Sequence, residues 1–439
     1  MGGRWSAEQV LALAPDAASA RTGRSLSRPG PWSGTGSTEI AVWGECQGSG
    51  KAPYRVVVDV TGPAYRCSCP SRKFPCKHAI GLLLLWSAGE IAEADPTAWA
   101  THWLTERRQR RANPAPPSRT KAAPKDPEAA AAAAAERAAR REDRVTAGLE
   151  ELDRWLHDQV RQGISRLPHE GYEVVDRVAA RLVDAQAPGA AGTVRRLAGV
   201  TGSGADWAGR ALEELGLLHL LTEGWRRRAE LPAPLAETIR TRVGFSQSRE
   251  SLLAGRPRVR DTWQVLGSRD EVQDHLQVRR TWLRGEATGR DALVLSFAVG
   301  GQSLDVGLVP GTAVETDLAF YPAALPLRAL PVTEGTPVPA PHSPSGTDVA
   351  GAAGSYAAAL GADPFVELVP VVLSDVRPAR HDEHWAVVDT AGDAVRLVGG
   401  EPWPLLGASG GEPVTVFGEW GPRGVRVLSL WADEGVVLA

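Results

Sequence analysis

Three of the chain's four cysteines and one histidine lie between residues 67 and 78. They are Cys67, Cys69, Cys76 and His78. Three thiols and one imidazole make up the complete ligand set of a tetrahedral zinc site. So short a segment cannot build an adequate core of its own, and we therefore predict that one structural Zn²⁺ organises this stretch.

The spacing of these four residues also predicts the local structure. Residues two apart in an extended chain point to the same side, so Cys67 and Cys69 can chelate one ion at the end of a strand. Residues two apart in a helix lie on roughly opposite sides, so Cys76 and His78 converge only where the chain enters a helix. We expect Cys76 at that helix N-terminus, where the helix dipole favours a thiolate.

A structural zinc site fits these residues better than the alternative chemistries of cysteine do. The four residues could be reduced, buried cysteines beside an incidental histidine. In a chain with so few cysteines, however, their clustering within twelve residues favours a metal site. A redox pair would require Cys-x-x-Cys beside a βαβ pattern, and a catalytic zinc keeps one position open for water. The fourth cysteine, Cys46, is expected to be a small buried residue outside the ligand set.

The stretch follows the pattern Cys-x-Cys-xn-Cys-x-His and resembles the SWIM zinc finger, a β-β-α module that binds one structural zinc. The likeness extends upstream, where the chain is similar to the bacterial branch of these proteins, at Trp43, Gly44, Cys46, Gly48, Ser49, Gly50 and Tyr54. The resemblance implies zinc binding, contact with DNA or protein, and no established reaction. It also implies association with ATPase systems for the bacterial branch.

Composition limits the remaining possibilities. A chain of 439 residues with 43% hydrophobic content can bury sizeable cores, and we expect about two to four domains. Three cysteines bound to one metal favour a reducing compartment. The longest apolar run, residues 80–86, is too short to span a bilayer, and we find no signal peptide pattern. We therefore predict a soluble, cytoplasmic protein without membrane contact.

The net charge of −3 shows no global basic excess, but cations concentrate near the predicted metal site. Residues 51–77 carry six basic side chains and one acidic side chain, Asp59. Such a patch is typical of phosphate contact, although a solvated face explains it equally well. The predicted contact residues for DNA or a protein partner are Arg66, Arg72, Lys73, Lys77, Arg107, Arg108, Arg110 and Arg111.

The pattern of apolar residues predicts an α+β multidomain protein with a small β-β-α zinc finger module, a helical middle domain and a β-rich C-terminal half. In the module we expect strands at 38–43 and 54–60 and helices at 77–87 and 97–111. The predicted regions are 1–111 with the zinc finger at about 38–88, a basic Pro/Ala-rich linker at 112–144, a helical domain at 145–250, an antiparallel β region at 251–345, and a short helix with a small β domain at 346–439.

Two weaker sequence motifs are not supported by the residues or elements around them. The sequence GSGK at 48–51 resembles a phosphate loop, but Glu45 occupies the position of the first glycine and Ala52 that of the magnesium ligand. Residues 407–411 fit Gly-x-Ser-x-Gly, but we predict that a strand follows, so they should form a hairpin loop.

Four histidines outside the cysteine cluster are candidates for further metal ligands. His381 and His384 lie in a predicted turn, with no helix to hold them on one face. His157 and His219 lie inside predicted helices, 62 positions apart, and we expect no partner ligands near them. We therefore assign no metal to any of them.

These observations together predict a non-enzymatic zinc protein that mediates nucleic-acid or protein interactions. Its one cofactor would be a structural Zn²⁺, and its partner would be DNA or another protein, with no small-molecule substrate. The alternative is a scaffold or adaptor subunit of a bacterial ATPase-associated complex that does not bind nucleic acid. An enzyme with its active site in the C-terminal half lacks a supporting constellation of residues.

Overall fold

The computed structural model of the chain describes four folded regions. Its described residues are 5, 7–11, 13–14, 17–48, 52–60, 64–69, 71, 75–112, 127–200, 204, 206–255, 257–273, 276–299, 307–333, 335, 337–340, 342–400, 402–432 and 435–438. Within this part of the chain, no helix is long and apolar enough to cross a membrane.

The N-terminal module is a four-stranded antiparallel meander between two layers of helices. Its strands, in sheet order, are β1 (Trp32–Ser37), β2 (Ala41–Cys46), β3 (Tyr54–Asp59) and β4 (Ala64–Cys67). Its helices are α1 (Ala7–Leu11), α2 (Ala17–Ser25), α3 (Lys77–Ser87) and α4 (Ala98–Ala112). The predicted β-β-α unit is therefore present, and β1 extends it. The sequence did not reveal β1 because its residues are rich in Gly and Ser, which disfavour strands or leave little side chain to bury.

Alternation along the strands divides the module's core into two. Val56 and Val58 of β3 face α3, whereas Val57 packs with Trp43 of β2 against α4. Such alternation with a period of two residues is what a strand buried on both faces requires. The same sheet therefore fixes the position of both helices.

Helix α3 is buried on every side, because α1 and α2 cover the surface that the sheet leaves open. Two glycines allow the close approach of α2. A Cβ atom at Gly23 would lie 2.5 Å from Ile80 Cγ2, and one at Gly81 would lie 2.7 Å from Leu26 Cβ. Larger side chains at these two positions would push α2 away from α3.

The middle domain is helical, as the sequence predicts. Its helices are α5 (Pro127–Gln162), α6 (Leu167–Asp184), α7 (Pro188–Val200), α8 (Trp207–Arg226), α9 (Ala233–Val243) and α10 (Arg249–Gly255), with a 3₁₀ turn at Ile164–Arg166. Residues 127–144 of the predicted linker form the first half of α5, which agrees with the exposed helix that the alanine run at 129–135 predicts. The alanine run has high helix propensity and no breaker follows it, so the helix continues without interruption into the bundle. Residues 113–126 of that predicted linker lie outside the described residues.

The first part of the β-rich half is a six-stranded sheet. Its strands are β5 (Arg258–Gln273), β6 (Leu276–Gly285), β7 (Asp291–Val299), β8 (Thr312–Phe320), β9 (Arg328–Pro331) and β10 (Pro337–Pro339). The order is β10-β8-β5-β6-β7-β9, and β9 also pairs with β8, which closes five strands into a ring. The predicted antiparallel sheet is present, with one exception: β7 and β9 pair in parallel.

The second part is a six-stranded antiparallel sheet preceded by a helix. Its elements are α11 (Val349–Ala362), β11 (Val369–His381), β12 (His384–Val388), β13 (Ala394–Arg396), α12 (Trp403–Ser409), β14 (Val414–Gly421), β15 (Gly424–Ala432) and β16 (Gly435–Leu438). The sheet order is β13-β12-β11-β14-β15-β16. The predicted hairpin loop at 407–411 is wrong. Ser409 ends α12, and Gly410 caps the helix in the left-handed region with φ of 59°.

A buried carboxylate joins these two sheets. Glu419 of β14 is only 1% exposed and accepts hydrogen bonds from Arg269 Nε at 3.1 Å, Arg280 Nε at 3.2 Å and Trp282 Nε1 at 2.9 Å. All three donors belong to the first sheet. Around them, Leu266 of that sheet packs with residues such as Phe417 of the second. The two sheets therefore share a core that has one satisfied charge at its centre.

We predict that Glu419→Ala lowers the free energy of unfolding by about 3 kcal/mol, because it removes the carboxylate that pairs with the partly buried Arg280 and leaves the buried Trp282 Nε1–H without its acceptor, while Arg269 keeps its second partner, Glu271. Glu315→Ala is the matched control, since Glu315 pairs with Arg260 on the exposed surface and should contribute less than about 1 kcal/mol. Urea denaturation followed by tryptophan fluorescence measures both values. Equal losses for the two variants would contradict the role given to Glu419.

Candidate metal centre

The four predicted ligands lie at the corner between β4 and α3. Cys67 ends β4, and Cys69 lies in the turn that follows. Cys76 immediately precedes α3 in an extended conformation, with φ of −74° and ψ of 163°, and His78 is the second residue of the helix. The predicted strand, turn and helix N-terminus are therefore all present.

The structure brings the four side chains to one point. One ligand atom from each lies within 4.8 Å of the others. The Sγ atoms of Cys67 and Cys76 are 3.7 Å and 3.9 Å from His78 Nδ1. Zn–S bonds of about 2.3 Å and Zn–N bonds of about 2.0–2.1 Å in a tetrahedron place sulfur and nitrogen about 3.6 Å apart. Cys67, Cys69, Cys76 and His78 are thus arranged to bind a single zinc ion.

The centre lies at the edge of the module core. Cys76 and His78 are buried, while Cys67 and Cys69 are half-buried. The imidazole of His78 also packs against the ring of Tyr54, with 4.9 Å between centroids. Cys67 and Cys69 therefore lie towards the surface, whereas Cys76 and His78 connect the site to the core.

Hydrogen bonds among the thiols perturb their pKa values in opposite directions. Bonds from Cys67 and Cys76 hold the pKa of Cys69 well below its usual range. The bond to Cys69, the contact with Cys76 and burial raise the pKa of Cys67. A bond with Cys67 lowers the pKa of Cys76, but its bond to Cys69 and its burial outweigh this and raise it to about 11. A bound divalent cation would stabilise all three thiolates.

Cys46 lies outside this group, as the sequence predicts. It ends β2, is fully buried, and its Sγ lies 3.9 Å from the carbonyl oxygen of Gln47. Burial raises the pKa of its thiol, so it remains protonated at neutral pH. It serves the module as a small core residue.

Comparison with known families agrees with this geometry. Residues 54–86, which contain β3, β4, the four ligands and nearly all of α3, match the family model of the SWIM zinc finger. The chain carries a SWIM zinc finger. The SWIM finger is followed at 140–243 by a match to the SWIM-associated four-helix bundle domain, which covers most of α5 and continues through α9. No curated protein and no solved structure matches the chain.

The predicted contact residues differ in their exposure and in whether the structure describes them. Arg66 and Lys77 are exposed, and each is adjacent in the chain to a ligand of the metal centre. Arg107 is partly buried, and its Nε lies 2.9 Å from Asp59 Oδ2, so it ties α4 to β3. The remaining predicted contacts fall outside the described residues or have side chains that the structure does not describe, namely Arg72, Lys73, Arg108, Arg110 and Arg111.

The structure adds three cations that the sequence did not single out. Arg21 and Arg24 are exposed on α2, and Arg28 is exposed just after it. Between the first two, Gly23 packs on the first turn of α3, where its missing Cβ would lie 3.6 Å from the carbonyl oxygen of Lys77. This contact places the α2 arginines at the same end of the module as the metal ligands. The sequence signal was present, because residues 17–38 contain these arginines and no acidic residue.

We predict that Cys69→Ala or His78→Ala in the full chain abolishes retained zinc and unfolds the module. The reason is that three ligands leave the shell open, and metal binding supplies folding free energy at such a site. Cys46→Ala is the matched control and should keep one zinc per chain. The measurements are zinc content after exhaustive dialysis against metal-free buffer and hydrogen exchange of the α3 amides. Retention of zinc and of α3 protection in the Cys69→Ala variant would contradict the assignment.

Proposed function

We propose that this protein is a non-enzymatic zinc protein whose SWIM module binds the phosphate backbone of nucleic acid. The binding surface consists of Arg21, Arg24, Arg28 and Lys77, which we call the cationic face. The observation that carries the proposal is the presence of this acid-poor, exposed face next to the metal centre.

The charge of the cationic face supports phosphate as its ligand. Arginine and lysine make most phosphate contacts in nucleic-acid complexes, and guanidinium groups bind phosphate oxygens in a fixed, bidentate geometry. The chain as a whole has a net charge of −3, so the positive potential is local to this face. A local patch of this kind attracts a polyanion without making the entire protein basic.

A bound zinc ion would fix the position of the elements that carry this surface. A site with four protein ligands leaves no position for water or substrate, which is typical of structural zinc. When bound, the ion holds the end of β4 to the start of α3, and α2 packs on that same first turn through Gly23. The metal thereby positions the cationic face and takes no part in a reaction.

The burial of α3 favours backbone contact over base reading. Residues 78–86 of α3 are all buried, so this helix cannot enter a major groove without unfolding the module core. The arginines of α2 reach outward, and phosphate contacts alone carry no sequence information. We therefore infer binding with little sequence preference. The free cysteines support a cytoplasmic location as part of this proposal.

A second candidate function is that of a protein adaptor, and an exposed tryptophan in the C-terminal domain favours it. Trp403 is 64% exposed, and its ring lies edge-on to Trp385 with 6.2 Å between centroids. Exposed tryptophans are enriched where proteins dock. An adaptor subunit of a bacterial ATPase-associated complex would use such a surface without binding nucleic acid.

The test is the salt dependence of DNA binding by the zinc-loaded full chain, measured by fluorescence anisotropy with labelled single-stranded and duplex DNA. We predict saturable binding that weakens steeply with salt, because phosphate contacts release counterions. The triple variant Arg21→Gln/Arg24→Gln/Lys77→Gln should reduce the slope of log K against log salt for duplex DNA by about 3.

The matched control removes the same number of exposed cations from other parts of the protein. It is Arg226→Gln/Arg227→Gln/Arg260→Gln, in which each arginine pairs with a surface glutamate. The control should bind with an unchanged slope. Absence of binding at low salt by a chain that holds its zinc would overturn the nucleic-acid function and favour the adaptor.

A further inference from the structure

A second group of side chains of the types that ligate metals lies on the surface of the four-helix bundle. The prediction that His157 and His219 lack partner ligands is wrong. One ligand atom from each lies within 4.8 Å of the others and of an oxygen of Asp153. The three residues come from two helices that are distant in sequence, Asp153 and His157 from α5 and His219 from α8.

Antiparallel packing of α5 and α8 brings these residues together. Trp225 Nε1 donates a hydrogen bond of 3.0 Å to Thr146 Oγ1, and Thr222 Oγ1 donates one of 3.0 Å to Asp153 Oδ1. Residues later in α5 therefore contact residues earlier in α8, as expected for antiparallel helices. Below the polar group, buried leucines of both helices, including Leu152 and Leu218, fix this register.

The three side chains converge closely at the surface. His219 Nδ1 lies 2.7 Å from Asp153 Oδ1, and His157 Nδ1 lies 3.5 Å from Asp153 Oδ2. The spacing of four residues between Asp153 and His157 puts both on one face of α5. The two imidazole rings meet edge-on, with 5.2 Å between centroids. His157 Nδ1 also lies 2.9 Å from the backbone oxygen of Asp153, which holds its ring at this face.

The group combines a charged ligand with access from solvent. Partial burial alone would raise the pKa of Asp153, but hydrogen bonds from His219 and Thr222 and the nearby imidazoles lower it. Asp153 is therefore ionised at neutral pH. Its side chain is 27% exposed, and those of His157 and His219 are 49% and 46% exposed, so an ion reaches them directly. Glu223 and Arg226 also lie nearby, but they pair with each other and so add no net charge.

We propose that Asp153, His157 and His219 form a second metal site, which binds one divalent transition-metal ion such as Zn²⁺. Two imidazoles and one carboxylate suit zinc, nickel, cobalt and copper, whereas magnesium and calcium prefer oxygen ligands alone. Three protein ligands leave coordination positions to water, so this ion exchanges more readily than the one in the closed thiolate centre. The bound ion bridges α5 and α8.

Such a bridge affects the thermodynamic stability of the bundle. The unfolded chain does not hold residues 153, 157 and 219 together, so the ion binds the folded bundle and stabilises it by mass action. The stability of the bundle then depends on the concentration of free metal. This inference does not rest on the proposed nucleic-acid function or on the cationic face.

The experiment uses the full chain with its thiolate centre already loaded with zinc. Equilibrium dialysis against micromolar Zn²⁺ near pH 7.5, above the ordinary pKa of about 6.5 for histidine, should give two zinc ions per chain. The double variant His157→Gln/His219→Gln should hold one. Added Zn²⁺ should raise the melting temperature of the helical circular-dichroism signal in the wild type but not in the double variant.

The matched control is His342→Gln, because His342 is an exposed histidine 3.8 Å from Glu286, outside the second metal site. It should still bind two zinc ions. The single variant His157→Gln keeps the Asp153–His219 bond and should bind the second ion at least about tenfold more weakly, since even outer-shell losses weaken metal sites by about 10–100-fold. One zinc per wild-type chain, or two in the double variant, would overturn the proposal.

Discussion

The N-terminal module of this protein depends on four ligands that hold the end of a strand against the start of a helix. Cys67 and Cys69 belong to an extended chain, whereas Cys76 and His78 belong to a helix, and one ion bound to all four fixes the corner between them. Because α3 is buried on all sides, the position of this single helix determines that of the sheet on one face and of α2 on the other. A metal at the edge of the core therefore organises structure well beyond its own ligands.

The remaining domains are joined by apolar packing, as in the core that the two sheets share, and by polar contacts between residues distant in the chain. Arg242 of α9 pairs with Glu367 at 3.0 Å, which ties the bundle to the segment before β11. Thr238 of the same helix accepts a 2.8 Å hydrogen bond from the backbone nitrogen of Ala324, after β8. Glu419 then joins the two sheets. The buried contacts of Glu419 favour one orientation of the two sheets, since hydrogen bonds are directional and apolar burial is not, whereas the exposed pair of Arg242 and Glu367 contributes little.

The thiolate centre and the proposed centre on the bundle differ in chemistry because their ligands differ in softness and in enclosure. The thiolate centre has three sulfur ligands and one nitrogen, with half of the set buried, which suits a permanent structural zinc. The proposed centre on the bundle has nitrogen and oxygen ligands on an exposed surface between two helices. One protein would thus hold a tightly bound ion that folds a module and an exchangeable ion that braces a bundle.

The sequence by itself determined the parts of this protein that depend on neighbouring residues. The ligand spacing of 67–78, the apolar run of α3 and the helix propensity of 129–135 act over a few positions, and the predicted metal corner and helices are present. Tertiary structure alone decided the meeting of Asp153 with His219, the closure of β9 onto β8 and the pairing of Arg107 with Asp59. Each of these joins residues that are distant in the chain. Local periodicity carries no information about such pairs, because packing of whole elements fixes which side chains finally meet.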